Sequence, residues 1–234
     1  MRSVWDPEGR YKLYGFTRQA QTFPDVMLKR YAGQIEHAEV VLGIELKGWY
    51  LLSKEEEPSF RFKVTSAACA DQDLLVVVPW VLSNVISGTP RVFLPFVVLA
   101  KYAAEYRNYH WQHIRRTRSS PEIIVPRNVA PYPAKSDQIS DNPASDSGGN
   151  FGRIARTGIM DTYLQEIGKV DLRGIEVHYW RSFFKLFQEH GAEDAIRKGV
   201  DRLRTRVRDS SEYREGSKAE SAMRIIEELE NILA

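Results

Sequence analysis

The chain has 234 residues, of which 43% are hydrophobic and 27% are charged, a composition typical of a globular protein. Its formal net charge of +2 is close to neutral, so a nucleic-acid surface would have to come from local clustering of basic residues. A single cysteine, Cys69, excludes an internal disulfide and a thiolate metal cluster. No apolar run has the character of a signal peptide or the length of a membrane span, so we expect one cytoplasmic domain, residues 1–234, with no membrane partner.

Residues 23–52 are predicted to form a β-hairpin that organises the chain. Its second half, Glu39 to Leu52, is rich in Val, Ile, Leu, Trp and Tyr, which is strand composition. Apolar residues occupy both faces of this strand, which predicts that it is buried in a sheet. Its first half opens with Pro24-Asp25, at a position where proline removes no hydrogen bond from a sheet.

Three polar residues stand out in this apolar hairpin. If the strands pair in antiparallel fashion about a turn near Ile35, Asp25 lies opposite Glu45, and Lys47 leaves the same face of the strand as Glu45. Two carboxylates this close repel each other unless a cation or a proton lies between them, and Mg²⁺ prefers such oxygen ligands. The hairpin therefore predicts a metal-assisted hydrolytic site for phosphodiesters.

Pro24-Asp25 followed by Glu45-Leu46-Lys47 resembles the PD-(D/E)xK signature of the restriction-endonuclease-like nucleases. Each half of this short motif occurs once in the sequence, and the motif covers only the first third of the chain. The resemblance implies that Asp25 and Glu45 ligate Mg²⁺, or Mn²⁺ in its place, and that Lys47 positions or activates the attacking water. It also implies a type II restriction endonuclease that cuts double-stranded DNA as a homodimer. The implied fold is α/β, a mixed β-sheet core flanked by helices, with a long loop and a helical C-terminal part.

Simpler interpretations of the same residues stay open. Asp25 could be a turn residue after proline, with Glu45 and Lys47 a solvated pair on an edge strand. A repair, resolvase or transposase-type nuclease of the same superfamily would share the catalytic residues, and a DNA-binding module would not use them for catalysis.

Three further elements are predicted between the hairpin and the long loop. Residues Ser59 to Thr65 alternate like a half-buried strand, and Asp73 to Trp80 read as a strand buried on both faces. Residues Pro95 to His113 have helical composition, with a core stripe that includes Ala103.

Basic residues cluster at the end of this helix and in the loop of residues 119–157. Arg115, Arg116 and Arg118 follow aromatic residues, which suits a nucleic-acid backbone, but cations also complement a helix C-terminus. Residues 119–150 are rich in Pro, Ser, Asp and Asn and predict a long loop or a partly ordered arm. The glycine-rich stretch after it lacks the ending of a nucleotide-binding loop. Arginine suits guanine recognition, so residues 131–157 are predicted to form a DNA-contacting arm. The predicted DNA-contacting residues are Arg115, Arg116, Arg118, Lys135, Asn150, Arg153 and Arg156.

The remaining residues, 158–234, are predicted to be helical. The four expected helices are Ile159 to Ile167, Glu176 to Glu189, Ala192 to Arg208 and Glu220 to Leu233. An aromatic stripe around Trp180 is predicted to be core rather than a base-stacking surface.

Overall fold

The computed structural model of the chain describes residues 2–31, 38–53, 55, 57–115, 122–146, 150–190, 193–209, 220, 223, 224, 226 and 227. These residues have a mixed α/β fold, which confirms the class predicted from the sequence. They divide into two compact units, a first unit within residues 1–47, 59–78 and 95–159, and a second unit within residues 48–58, 79–94 and 160–234. The restriction-endonuclease-like arrangement and the single domain stay predictions.

The strands and helices have the following bounds. The strands are β1 (Tyr14–Arg18), β2 (Val26–Arg30), β3 (Glu39–Tyr50), β4 (Leu74–Leu82), β5 (Pro90–Val92), β6 (Phe96–Leu99), β7 (Ile123–Ile124), β8 (Asn142–Pro143), β9 (Asp171–Leu172) and β10 (Ile175–Glu176). The helices are α1 (Arg2–Trp5), α2 (Ala100–Tyr109), α3 (Asp161–Gly168), α4 (Val177–His190) and α5 (Glu193–Arg208). Among the residues that the structure describes, no helix is long and apolar enough to span a bilayer.

The main sheet has the strand order β1-β2-β3-β4-β5, and β6 also pairs with β4. Strands β1 and β2 pair in antiparallel fashion, as do β2 and β3. Strand β3 is the long strand predicted from the sequence. Its burial is not complete on both faces as predicted, because Leu46 is 43% exposed.

The pairing of β2 with β3 has the register predicted for the hairpin. Val26 lies opposite Ile44, and the same register continued by one residue would set Asp25 against Glu45, as predicted. A bulge between Leu28 and Lys29 shifts the register on the side of the turn, where Lys29 lies opposite Val40. The predicted turn around Ile35 lies outside the described residues.

Strand β4 differs from its prediction in the burial of one face. Leu75, Val77 and Val81 are fully buried, whereas the alternate residues are only half-buried. The strand therefore has the two-residue period of a sheet with one fully covered face.

The predicted helix from Pro95 to His113 is wrong in its first turn. Phe96–Leu99 form strand β6 and pair with Leu74–Val77 of β4. The sheet partner decides the outcome, because bulky apolar residues gain more from a pleated, half-buried surface than from an isolated helical turn. Helix α2 begins at Ala100 and is followed by a π-helical turn, His110–Ile114. Its buried residues are Ala100, Ala103, Ala104 and Arg107, so only Ala103 of the predicted stripe belongs to the core face.

The predicted strand from Ser59 to Thr65 is not regular. Its contacts are isolated bridges, Arg61 with Arg153 and Val64 with Ser140, although Phe62 is buried as expected. The partners come from the long loop, which sequence reasoning treated as separate from the core.

The second unit contains helices α3, α4 and α5, close to three of the predicted helices. Helix α4 packs on α5, and Trp180 and Phe183 are buried, which confirms the aromatic stripe as core. Of the predicted fourth helix, residues 220, 223, 224, 226 and 227 are described and helical.

Candidate active site

Asp25 is placed by the start of strand β2. Phe23 and Pro24 are buried, and Asp25 precedes the first β2 residue. The backbone carbonyl of Asp25 accepts a hydrogen bond from Gln19 N at 2.9 Å, which extends the β1–β2 pairing by one residue. The backbone is therefore tied to the sheet at the position from which the Asp25 side chain leaves.

Glu45 and Lys47 lie on one face of β3, as the two-residue period requires. Lys47 Nζ donates a hydrogen bond to Glu45 Oε1 at 2.6 Å. The Glu45 side chain is only 9% exposed and that of Lys47 is 24% exposed. This is a largely buried ion pair, not the solvated pair that the simpler interpretation requires.

Asp25 and Glu45 are brought together across the two strands. Asp25 Oδ2 accepts a hydrogen bond from Leu46 N at 2.8 Å. Burial raises the pKa of Glu45 above its ordinary value, while the hydrogen bond and charge of Lys47 oppose this rise. The Asp25 carboxylate raises the Glu45 pKa further, and a hydrogen bond from the Asp25 backbone lowers it. Two carboxylates and one ammonium thus interact at a single place in the sheet.

Gly43 and Asp73 pack beside Pro24 and stabilise this arrangement. Neither role was predicted from the sequence. A Cβ atom at Gly43 would lie 2.7 Å from Asp73 Oδ1 and 2.8 Å from Pro24 Cγ, so only glycine lets Pro24 pack here. Gly43 N donates to Asp73 Oδ1 at 2.7 Å, and Ala70 N donates to Asp73 Oδ2 at 2.8 Å. A glycine inside a strand is the sequence signal for such a close approach.

The long loop also contacts Asp73 and Gln19. The Tyr132 hydroxyl donates to Asp73 Oδ1 at 3.0 Å, and Gln19 Nε2 donates to Pro133 O at 3.4 Å. Fully buried Asp73 is therefore hydrogen-bonded to β3, to its own turn and to the loop.

Four of the predicted DNA-contacting residues line one cavity of about 220 Å³ in the first unit, which we call the basic pocket. Arg115 comes from the end of the π-helical turn, and Asn150, Arg153 and Arg156 come from the end of the long loop. Exposed Lys135 does not line the pocket. Arg116 and Arg118 lie outside the described residues.

The loop that supplies the pocket is pinned to the core. Buried Arg107 donates to Phe62 O at 2.7 Å and forms an ion pair with Asp141 Oδ2 at 2.5 Å. Burial lowers the pKa of Arg107 to about 10, so it stays protonated at neutral pH. Thr65 N donates to Ile139 O at 2.7 Å. The described part of residues 119–150 is thus a docked loop, and its Asp141 is fully buried.

Cys69 and the two histidines on the α2 side carry no comparable chemistry. Burial raises the pKa of Cys69 to about 12, which keeps it a thiol at neutral pH. Among the described residues, no three His, Cys, Asp or Glu side chains form a metal-binding group, so His110 and His113 have no such cluster. Burial lowers the pKa of His110, with the Arg115 charge as a second cause.

Comparison of the chain with protein-family models, with curated proteins and with solved structures gave no match.

Proposed function

We propose that this chain is a divalent-metal-dependent endonuclease of double-stranded DNA, with Asp25, Glu45 and Lys47 as its catalytic residues. The observation that carries the proposal is the ion pair of buried Glu45 with Lys47 beside the Asp25 carboxylate, at the register expected for the motif. Buried charges are costly unless they are paired or bind an ion. Burial raises the pKa of Glu45 in spite of its pairing with Lys47, so its carboxylate would gain from a further cation.

The donor set suits Mg²⁺, with Mn²⁺ as a substitute. In proteins, Mg²⁺ is held by one or two carboxylates, and water and substrate phosphate oxygens complete its octahedral shell. Asp25 and Glu45 would supply the two carboxylates. When bound, the ion would stabilise the negative charge that develops on the scissile phosphate.

Each catalytic side chain has a defined task in this proposal. Asp25 Oδ2 is held by Leu46 N, which fixes the orientation of the carboxylate. Lys47 Nζ donates a hydrogen bond to the attacking water and so orients it toward the scissile phosphate. Glu45 must be ionised to bind the cation, and its carboxylate holds the lysine in place before substrate binds.

The finer part of the proposal is sequence-specific cleavage by a type II restriction-type homodimer. It rests on the resemblance of the motif, and the basic pocket supports DNA binding. Cleavage of a chosen site requires a fixed register on the duplex, which phosphate contacts supply, and base contacts, which give the sequence.

The decisive experiment is incubation of the purified chain with unmethylated phage DNA, with and without Mg²⁺. We expect discrete fragments that require Mg²⁺ and that disappear with Asp25→Ala and Lys47→Ala, with a loss of activity of about a hundredfold or more. Sequencing of the fragment ends would give the recognition site.

The chain offers a matched control in the exposed ion pair of Asp71 and Lys101, which has the same 2.6 Å separation as that of Glu45 and Lys47. Asp71→Ala and Lys101→Ala should cut like the parent. If phage DNA stays intact in every lane and only branched substrates are cut, the chain is a structure-specific nuclease and not a restriction-type enzyme. DNA binding without metal-dependent cleavage of any substrate would reject the nuclease.

A further inference from the structure

We propose that the basic pocket binds a phosphate group of a nucleic-acid strand, so that its arginines position the substrate rather than read bases. The nucleic-acid source of this phosphate rests on the proposed function. The pocket itself is argued from its charge, its rigidity and its size.

Charge is the first argument. The described residues that line the pocket include Arg107, Arg115, Arg153 and Arg156, and none of the described lining residues is Asp or Glu. Asp141 neutralises Arg107. Among the described residues no ion pair joins Arg115 to a carboxylate, and its guanidinium stacks on Trp111 instead. Arginine is the side chain best matched to phosphate oxygens, because its planar fork donates two parallel hydrogen bonds.

Rigidity is the second argument. The Arg115 guanidinium carbon lies 3.7 Å from the centre of the Trp111 ring, and Trp111 is 7% exposed. Arg156 donates to the Asn150 side-chain oxygen. Stacking and hydrogen bonding hold both guanidinium groups before a ligand arrives, which reduces the entropy lost on binding.

A glycine shapes the wall of the pocket. Gly152 has φ +86°, and a Cβ atom there would lie 2.9 Å from Lys63 Cγ and 3.3 Å from the Phe62 carbonyl oxygen. Phe62 N donates to Gly152 O at 2.8 Å, so the backbone lies directly on the adjacent segment. The left-handed conformation and the close approach both require glycine.

Size is the third argument, because the volume of the cavity fits a phosphate group. Sites for drug-sized ligands have volumes of about 300–1,000 Å³, whereas one water in the liquid occupies about 30 Å³. A cavity of about 220 Å³ is large enough for a phosphate group with several waters.

Packing links the pocket wall to the catalytic residues. Phe62, which pairs with Gly152, has its ring centre 6.1 Å from that of Phe23. Phe23 leads directly into Pro24 and Asp25. The wall of the basic pocket therefore packs on the same framework that positions the proposed catalytic carboxylates.

The test measures binding on the full chain carrying Lys47→Ala, so that the proposed catalytic activity does not consume the DNA. The probes are inorganic phosphate, a short duplex with 5′-hydroxyl ends and the same duplex with 5′-phosphate ends. We expect Arg115→Ala to weaken phosphate binding about tenfold or more, since a charge-assisted hydrogen bond is lost. The slope of log affinity against log salt for the duplex should fall by about 0.9 for one lost phosphate contact.

Arg91→Ala is the matched control, because the Arg91 guanidinium also stacks on an aromatic ring, 5.0 Å from the centre of Phe93, but lies outside the pocket. It should bind all three probes like the parent. Arg156→Ala is the second pocket variant, and circular dichroism and thermal melting check that both variants are folded. Because Arg156 is exposed, this change should leave the fold intact even where Arg115→Ala does not.

The outcomes separate the source of the phosphate from the failure of either proposal. Equal losses with both duplexes indicate a backbone phosphate, and a loss confined to the 5′-phosphorylated duplex indicates a terminal one. If the variants weaken the binding of inorganic phosphate alone, the proposal that the phosphate belongs to a nucleic acid is overturned. If folded Arg115→Ala and Arg156→Ala bind every probe like the parent, the proposal that the basic pocket binds phosphate is overturned. Weakened duplex binding in a chain that cuts no DNA would reject the nuclease and retain the pocket.

Discussion

At the scale of single residues, Glu45 shows how a candidate catalytic group is kept in a costly environment. Its side chain is 9% exposed, and burial is the main cause of its raised pKa. The Lys47 ammonium at 2.6 Å offsets this cost only in part, because the direction of the shift remains upward. A carboxylate destabilised in this way gains from a nearby cation, which is the property that a metal ligand needs.

This imbalance predicts that Glu45→Gln stabilises the fold at pH 8 while it abolishes cleavage. For an acid whose folded-state pKa is raised, the stabilising contribution is present at low pH and is lost as pH rises through the folded-state pKa. The neutral amide avoids that loss, so its Tm should exceed the parent Tm at pH 8. The difference should shrink as pH falls through the raised pKa of Glu45, where both side chains are neutral. Thermal melting across pH measures it, at about 2–4 °C for each kcal/mol.

Asp71→Asn is the matched control for this change. Asp71 also pairs with a lysine at 2.6 Å, but it is exposed, and Lys101 lowers rather than raises its pKa. The lowered pKa gives the opposite sign, with stabilisation above the ordinary pKa that is lost as pH falls, so Asp71→Asn should give no gain at pH 8. A Glu45→Gln gain that is equal at pH 8 and pH 5 would contradict the assignment of the cost to the ionised carboxylate.

At the scale of elements, strand β3 carries two glycines with very different surroundings. Gly43 lies against Asp73 and Pro24, and an added Cβ would approach both within 3 Å. At Gly48 the nearest atom to an added Cβ is Trp80 Nε1, at 3.9 Å. The strand therefore contains its own internal comparison between a glycine required by packing and one that is not.

We predict that Gly43→Ala destabilises the fold by about 1–3 kcal/mol, the usual cost of forcing an extra carbon into a packed site. It should also reduce cleavage more than the stability loss explains, because Pro24 moves and Asp25 follows it directly. Gly48→Ala should be neutral or stabilising by up to about 1 kcal/mol, since the space is open and alanine reduces the entropy of the unfolded chain. Denaturant unfolding gives the free energies, and equal effects of the two changes would show that Gly43 is not a packing constraint.

The same strand shows what local sequence predicts well. The composition and length of β3 and the placement of Glu45 and Lys47 on one face are properties of neighbouring residues. The predicted register with β2 came from the further assumption of a turn near Ile35. Strand β6 was missed because its strand state depends on its partners in Leu74–Val77, about 20 residues earlier in the chain. The pattern of residues within Phe96–Leu99 does not indicate that these residues pair with β4.

The residues that support the candidate site were not predicted for the same reason, because their contacts are distant in the sequence. Asp73 binds Gly43, 30 positions away, and Tyr132, 59 positions away. The ion pair of Arg107 with Asp141 spans 34 positions and docks a loop whose composition predicts no core. The sequence therefore indicated the polar residues of the candidate site, whereas their support depends on folding of the first unit as a whole.

At the scale of the whole molecule, a question of symmetry follows from the proposed function. The motif of Pro24-Asp25 and Glu45-Leu46-Lys47 occurs once in the sequence, so one chain supplies one set of catalytic side chains. A duplex has two scissile phosphates on antiparallel strands. Two copies related by a two-fold axis would place one site at each strand, which is the arrangement that a palindromic recognition sequence matches.

Mixed dimers test this directly. If each protomer cuts one strand, a heterodimer of the parent chain with Lys47→Ala should nick plasmid DNA and accumulate open circles, whereas the parent homodimer should linearise it. A heterodimer of the parent with Lys101→Ala should linearise DNA at the parent rate, because that lysine belongs to an exposed pair outside the site. Gel analysis of plasmid forms gives the readout, and sedimentation with and without a duplex gives the mass. A chain that sediments as a monomer on its duplex and still cuts both strands would contradict the dimer and require each site to act twice.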